Sequence, residues 1–462
     1  MPRDDWDETN PDKQAILKII HKHQTEVRRL KKLKDYYVGA HKILQDEGRE
    51  NKLVCNHAKD ISDTASSYFI GNPVSYKAEP DITPLTDALE NAGADEADGD
   101  NGLNLSIYGR AYEYVYPEEG STALVIKTLE PENTIKVYDD TIEQRELFDI
   151  YYYPKKDDSD KRPTVYMATI LTRHYRYEMR ILDTSGPQEP VPPGVPHNFE
   201  ESPIIEYQNN KLAMGDFELQ IPLIDAYNAL MSDRITDKEQ FIDAILALYG
   251  FMLSDDDAVD EDGRTVAQKL KEDRIVDGLP KDARAEYLTR TFDEAGVELL
   301  RKAIEQDIHK FSHIPCMTDE AFAGNVSGVA MEFKLLGMEN ITKIKTRYYK
   351  KGLRKRLRLF AYWLQKSRSI TVDVTGITPT FTRALPKNLL EISQIIANLW
   401  GKVSKKTLLS QVPFVDNVED EVAAVEKEAE EAAKQQQAMF GLGSNSPPPD
   451  DEYSPKSGNV DE

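Results

Sequence analysis

The sequence predicts an α+β protein, mainly helical and divided into several regions. Three observations carry that expectation. Strand-like alternation is confined to residues 103 to about 205, and the second half repeats apolar residues at helical spacing. The 462 residues, 40% of them hydrophobic, suffice for a core shared among several domains.

Charge and composition narrow the class. With 81 acidic against 58 basic residues the formal net charge is -23, which argues against non-specific wrapping of nucleic acid and leaves any DNA contact local or repulsive. Only Cys55 and Cys316 are present, too few for a disulfide framework, so a reducing compartment is expected. The start MPRDDWDETNPDKQ lacks the apolar run of a secretory signal. The longest apolar run, Ala244 to Leu253, is about half the roughly 20 residues a membrane span needs. A soluble cytoplasmic protein is expected.

Residues 14 to 47 carry a helical pattern, with Ile16, Ile19, Ile20, Val27 and Leu30 recurring at helical spacing and basic residues between them; the exposed face is basic and reads as solvated. A second helix is expected from about Lys52 to Ile70, stopped by Gly71 and Pro73 and followed by a short strand. From Leu103 to Ile205, segments such as AYEYVYPEE, ALVIKTLEP and TVYMATILTRHYRYEMRIL read as strands. ENAGADEADGDNG and SGPQEPVPPGVPHNFEES are expected to be mobile loops.

The second half begins with about 30 residues of helix from Pro222, ~45 Å long. A second helix from Asp293 closes at Pro315. The acidic insertion between them, about 38 residues, exceeds ordinary connections and reads as a small module. A third helical pattern runs from Ser327 to about Lys366, with bends expected at Gly337 and Gly352. Helices this long need partners, which favours a bundle or packing against neighbouring subunits. The polar, acidic tail reads as disordered from about Gln435.

The stretch DEAFAGNVSGVAMEFKL places small residues between two helices. A phosphate-binding P-loop would need Lys after its last Gly, but Val329 follows Gly328. His309 and His313, four apart with Cys316 beyond, offer zinc-ligand types without a converging fourth group, and two surface histidines with a buried thiol is the plainer reading. Calcium loops centred on Gly263 or Gly99 fail at their first and last ligand positions. No nucleophile elbow is present. Nine of the sixteen residues from Lys343 to Arg358 are Lys or Arg, among them Lys343, Lys345, Arg347, Lys350, Lys351 and Arg354. They could contact phosphates or pair with acidic neighbours in so acidic a chain.

The order and spacing of NKLVCNHAKDISDTASSYFIGNPVSY, GRAYEYVY, PENTIKVYDD, PIIEYQNN, DFELQIPLIDAYNALMSDRITDKEQFIDAILALYGF and FTRALPKNLLEISQIIANLWGKVSKKTLLSQVPFV resemble the portal proteins of tailed bacteriophages, the siphophage-type family. The resemblance covers most of residues 15 to 430; the two loops and the tail depart from it. It implies a portal fold with wing, stem, clip and crown, assembled as a ring of about twelve subunits closed by symmetry. Residues 1–221 would form an α+β wing, 222–253 a stem helix, 254–291 the clip and 292–315 the second stem helix. Residues 316–327 would form the tunnel loop, 328–400 the long wing helix and its return, 401–434 the crown and 435–462 a disordered acidic tail.

The resemblance further implies a virion protein at one capsid vertex, present in host cytoplasm during assembly. Its partners would be double-stranded DNA in the channel, the large terminase subunit, a head completion or adaptor protein, and the major capsid and scaffolding proteins. No cofactor, metal, catalytic residue or membrane is implied. Glu320, Phe322, Asn325 and Val326 are candidates for the tunnel-loop tip, with Gly324, Ser327 and Gly328 giving it flexibility. Another virion ring, such as a head–tail adaptor, and a DNA-processing enzyme are the rival readings.

Overall fold

The computed structural model describes residues 6–155, 164–242, 245–249, 284–288, 293–317, 328–383, 389–409, 412, 415 and 418–441. They divide between one unit, residues 1–325 with 331–384, and a second, residues 326–330 with 385–462.

In the first unit, helix α1 (Lys13–Tyr37) starts where the Asp12 side chain accepts a hydrogen bond from the Gln14 amide. The helix expected to reach residue 47 stops at Tyr37, and a short 3-10 turn, Lys42–Gln45, follows. Helix α2 (His57–Ile70) is capped by Asn56, which accepts from the Lys59 amide, so residues 52 to 56 lie outside it. Strand β1 (Ser75–Lys77) and helix α3 (Thr83–Asn91) lead into α4 (Ala94–Tyr108).

Helix α4 corrects two expectations. Most of ENAGADEADGDNG is helix rather than loop, and Leu103 to Tyr108 is helix rather than strand. Ala94, Ala97, Asp98, Asn101 and Leu105 repeat at helical spacing and are buried, so tertiary packing holds a segment of poor intrinsic propensity. It ends at Gly109, whose φ of +79° turns the chain beneath Ala213; a Cβ there would lie 2.2 Å from the Ala213 carbonyl oxygen.

Strands β2 (Arg110–Pro117) and β3 (Leu124–Leu129) form a hairpin, and β9 (Ile204–Gln208) pairs with the other edge of β2, giving an antiparallel order β3-β2-β9. A second sheet is an antiparallel meander of β4 (Thr134–Tyr138), β5 (Glu146–Lys155), β6 (Val165–Leu171), β7 (Tyr175–Leu182) and β8 (Val195–Pro196). The proline-rich segment expected to be mobile is pinned: Val195 and Pro196 pair with β7, Gln188 bonds Leu182 at both backbone groups, and His197, Phe199 and Ser202 are buried.

The apolar cores follow from these faces. Ile16, Leu17 and Ile20 of α1 pack on Phe148, Ile150, Tyr152, Ile170, Met179 and Ile181 of the meander. Each such fully buried side chain contributes about 1.5–3 kcal/mol of transfer free energy. Another core joins Phe69, Leu85, Leu89, Leu105, Val115, Ile205 and Tyr207 to Tyr349, Leu353, Phe360 and Leu364.

Helix α5 (Ile221–Ile242) does not continue to residue 253; the chain changes to strand β10 (Ile245–Tyr249), which pairs antiparallel with β11 (Arg284–Leu288). A helix-like apolar run has become a β-ribbon because a distant segment completes its hydrogen bonds. Helix α6 (Glu294–Ser312) follows, capped by Asp293. Helix α7 (Gly328–Arg368) runs as one element of 41 residues, ~60 Å, through both glycines expected to bend it. Gly352 serves close approach instead: a Cβ there would lie 2.4 Å from the Tyr207 ring. Strand β12 (Thr378–Thr380) closes the unit by pairing with β1.

The second unit carries α8 (Leu389–Leu399), α9 (Lys405–Leu409) and α10 (Val418–Gly441). Helix α10 passes beyond Gln435, so the first residues of the expected disordered tail are helical.

Candidate assembly surfaces and the charge network of the long helix

Helix α7 carries the basic cluster, and the fold sorts its cations by face. On the inner face, Lys345 donates to Asp216 Oδ2 at 2.6 Å and Ser106 Oγ at 3.0 Å. Lys355 donates to both Glu146 carboxylate oxygens at 2.9 Å and the Ile204 carbonyl at 2.8 Å. Arg356, fully buried, donates to Glu113 through Nε at 2.8 Å and Nη2 at 2.5 Å, and lies 2.7 Å from Asp98. Glu113 also accepts from Tyr207 at 2.8 Å and Asn101 at 2.9 Å, while Tyr349 donates to Asp98 at 2.5 Å. A buried charge survives only with such partners.

Electrostatics follow the same geometry. Burial alone would weaken the Arg356 guanidinium, and Asp98 with Glu113 more than reverses it. Burial pushes the Asp98 carboxyl above its ordinary range despite Arg356. Burial also acts to raise Glu146, but Lys136 and Lys355 overcome it and hold that carboxyl at about 2. Lys136 lies 2.7 Å from Glu146 and 3.1 Å from Asp149, so the network ties α7 to β4 and β5.

Of the six cations singled out from the sequence, Lys345 is buried and pairs with Asp216, the acidic-partner alternative of the two readings. Lys343 lies 3.7 Å from Glu339, and Lys350 sits 5.8 Å over the Phe381 ring. Arg347, Lys351 and Arg354 are exposed, with no ion pair among the described residues. They continue an outer stripe of Phe333, Leu336 and Ile344 at helical spacing, Phe333 being 72% exposed.

Helices α5 and α6 pair antiparallel. Tyr227 accepts from Arg301, Arg234 bonds Glu298 at 2.9 Å, and Lys238 bonds Glu294 at 2.8 Å. Arg301, then Arg234, holds the Glu298 carboxyl at about 2. The far face of α6 shows Leu299, 72% exposed, with Leu300 and Phe311. At the foot of α6, His309 turns inward to the Ile314 carbonyl at 3.0 Å and packs beside His57, whereas His313 caps the helix with φ +59°. Among the described residues no three His, Cys, Asp or Glu side chains converge as a metal site.

Glu320, Phe322, Gly324, Asn325, Val326 and Ser327 lie outside the described residues; Gly328 begins α7. Sequence reasoning missed Asp98, Asn101, Glu113, Lys136 and Glu146. For the first two, the helical repeat of small and apolar residues through ENAGADEADGDNGLNLSIY was the available signal.

Long paired helices, a buried charge network on α7 and exposed apolar stripes on α6 and α7 are the features the described residues present. The sequence matches the family described as Phage portal protein, SPP1 Gp6-like, over residues 16–435, and the chain belongs to that family. It is 27% identical over 458 residues to a portal protein of Bacillus phage SPP1, covering 93% of this chain and 86% of the relative. It is 24% identical over 448 residues to a portal protein of Clostridium phage phiCD119, covering 88% and 94%. Among solved structures, a chain from the neck of a native GTA particle, computed with C12 symmetry, aligns with TM-score 0.42 and 10% identity, over 77% of this chain and 89% of that one. The family is a structural component of the phage virion, not an enzyme.

Proposed function

We propose that the chain forms the ring-shaped channel at one capsid vertex through which DNA is packaged and ejected. Family membership across residues 16–435 carries the reading. In it, residues 1–221 and 328–400 form the wing, α5 and α6 the stem, 254–291 the clip, 316–327 the tunnel loop and 401–434 the crown. Terminase and the head completion protein dock at the clip in turn. Major capsid and scaffolding proteins surround the ring.

The physical chemistry agrees. B-DNA carries one charge per about 1.7 Å, so a strongly basic wall would hold it, whereas a chain of net charge -23 lets it slide. The apolar stripes of α6 and α7, with Leu299 and Phe333 most exposed, suit contacts between copies. Glu320, Phe322, Asn325 and Val326 are assigned to the loop facing DNA, with Gly324, Ser327 and Gly328 as its hinges.

Native mass spectrometry with negative-stain imaging tests the ring. Closed assemblies of about twelve chains around a central hole are expected. Leu299→Asp combined with Phe333→Asp should shift them toward monomer with unchanged circular dichroism. A wild-type protein that stays monomeric at high concentration would overturn the reading.

A further inference from the structure

Helix α1 buries one face and leaves the opposite one to solvent. Ile16, Leu17, Ile20, Val27, Leu30, Leu33 and Tyr36 are inside. Lys18, Lys22, Arg28, Lys31 and Lys32 are exposed. At 3.6 residues per turn, Lys18, Lys22, Arg28 and Lys32 share about a third of the helix circumference and span ~21 Å along its axis.

These cations stand unpaired beside others on the same helix that the fold does pair. On the same helix Arg29 bonds Glu26 and Glu218, Lys34 lies near Glu130 and Glu132, and His21 meets Asp183. Among the described residues, Lys18, Lys22, Arg28 and Lys31 have no ion pair or side-chain hydrogen bond, and Lys32 rests 5.8 Å over the Tyr36 ring. In a chain of net charge -23, five unmatched cations on one helix form a local reversal of sign.

The composition of the face distinguishes its partner. Protein–protein interfaces bury an apolar centre and are depleted in lysine. No large apolar side chain of α1 is exposed beside these cations, unlike the outer stripe of α7 with Phe333, Leu336 and Ile344. A row of long cations without an apolar centre matches a phosphate backbone, which needs charge and reach rather than shape.

We propose that the exposed face of α1 is a docking surface for the phosphate backbone of double-stranded DNA, independent of the tunnel loop. It requires neither the ring nor the channel, and goes beyond both. Binding there is weak, sequence-independent and steeply salt-dependent.

The test is fluorescence anisotropy of a short labelled duplex with full-length protein between about 50 and 200 mM salt. Wild type should bind at the low end, with affinity falling at a slope of about -3 to -4 in log–log form. Lys22→Glu/Arg28→Glu/Lys32→Glu should lose at least about tenfold in affinity and flatten the slope by roughly two to three. Its ring population and unfolding midpoint should match wild type, separating this outcome from failure of assembly. Arg347→Glu/Lys351→Glu/Arg354→Glu, on α7, should bind as wild type does. Equal binding by the α1 variant, loss confined to the α7 variant, no wild-type binding at low salt, or an acidic peptide outcompeting the duplex would each overturn the proposal.

Discussion

Helices α1 and α7 are both long and lysine- and arginine-rich, yet they use their charge in opposite ways. In α7, Lys345, Lys355 and Arg356 point inward and meet Asp216, Glu146, Glu113 and Asp98. In α1, Ile16, Leu17 and Ile20 take the inner face and most cations remain in water. The inner face of α7 is thus specific, because a carboxylate left alone in that core is costly. The outer face of α1 is permissive, because exposed charges contribute little to stability. The inner face of α7 uses its charge to hold the fold; the outer face of α1 leaves it in solvent.

Removing a partner on the inner face breaks that contrast most sharply. Glu113→Ala takes the acceptor from Asn101 and Tyr207 and one of the two carboxylates from buried Arg356, and should cost about 3–5 kcal/mol by urea unfolding. Arg28→Ala on α1 should change the midpoint by less than about 0.5 kcal/mol. Similar costs at both sites would mean that the two faces do not differ.

Acid titration sharpens it next. Glu146 has a folded-state pKa of about 2 against an ordinary 4.5, so the stability it contributes is present above about pH 4.5 and is lost as pH falls toward 2. Glu146→Gln should therefore cost about 3 kcal/mol at neutral pH, and the gap to wild type should close over that window. A gap constant down to pH 2 would sink the assignment.

The smallest expected effect concerns the two glycines of α7. Gly352→Ala drives a methyl into the Tyr207 ring and should destabilise by about 1–3 kcal/mol, despite a better helix former. At Gly337 the nearest side-chain atom is 3.6 Å from the added carbon, so Ala there should stabilise by up to about 1 kcal/mol. Equal shifts in melting temperature would show that close packing against Tyr207 does not distinguish these positions.

Much of this was legible beforehand where the signal was local. The extent of α7, the existence of helices α5 and α6 and most of the strand-rich stretch up to Ile205 follow from periodicity. Helix α4 was not legible as a helix because Asp, Gly and Asn resemble a loop until Asp98 and Asn101 find buried partners. The ribbon of β10 was hidden because ILALY suits helix or strand equally, and only pairing with residues 284–288 decides. The candidate site divided likewise: Lys345 was chosen for its charge, yet Asp216 determines what that charge does.

The sequence by itself determined the family, the helix-rich second half and the acidic balance of the chain, since composition and short-range repeats are written along it. Tertiary structure alone decided which cations are structural and which are free. Arg356 and Glu113 lie 243 residues apart, and Lys355 and Glu146 209 apart. At such separations a charge has no readable partner until folding brings one within a few ångströms, where removal from water makes the pairing obligatory.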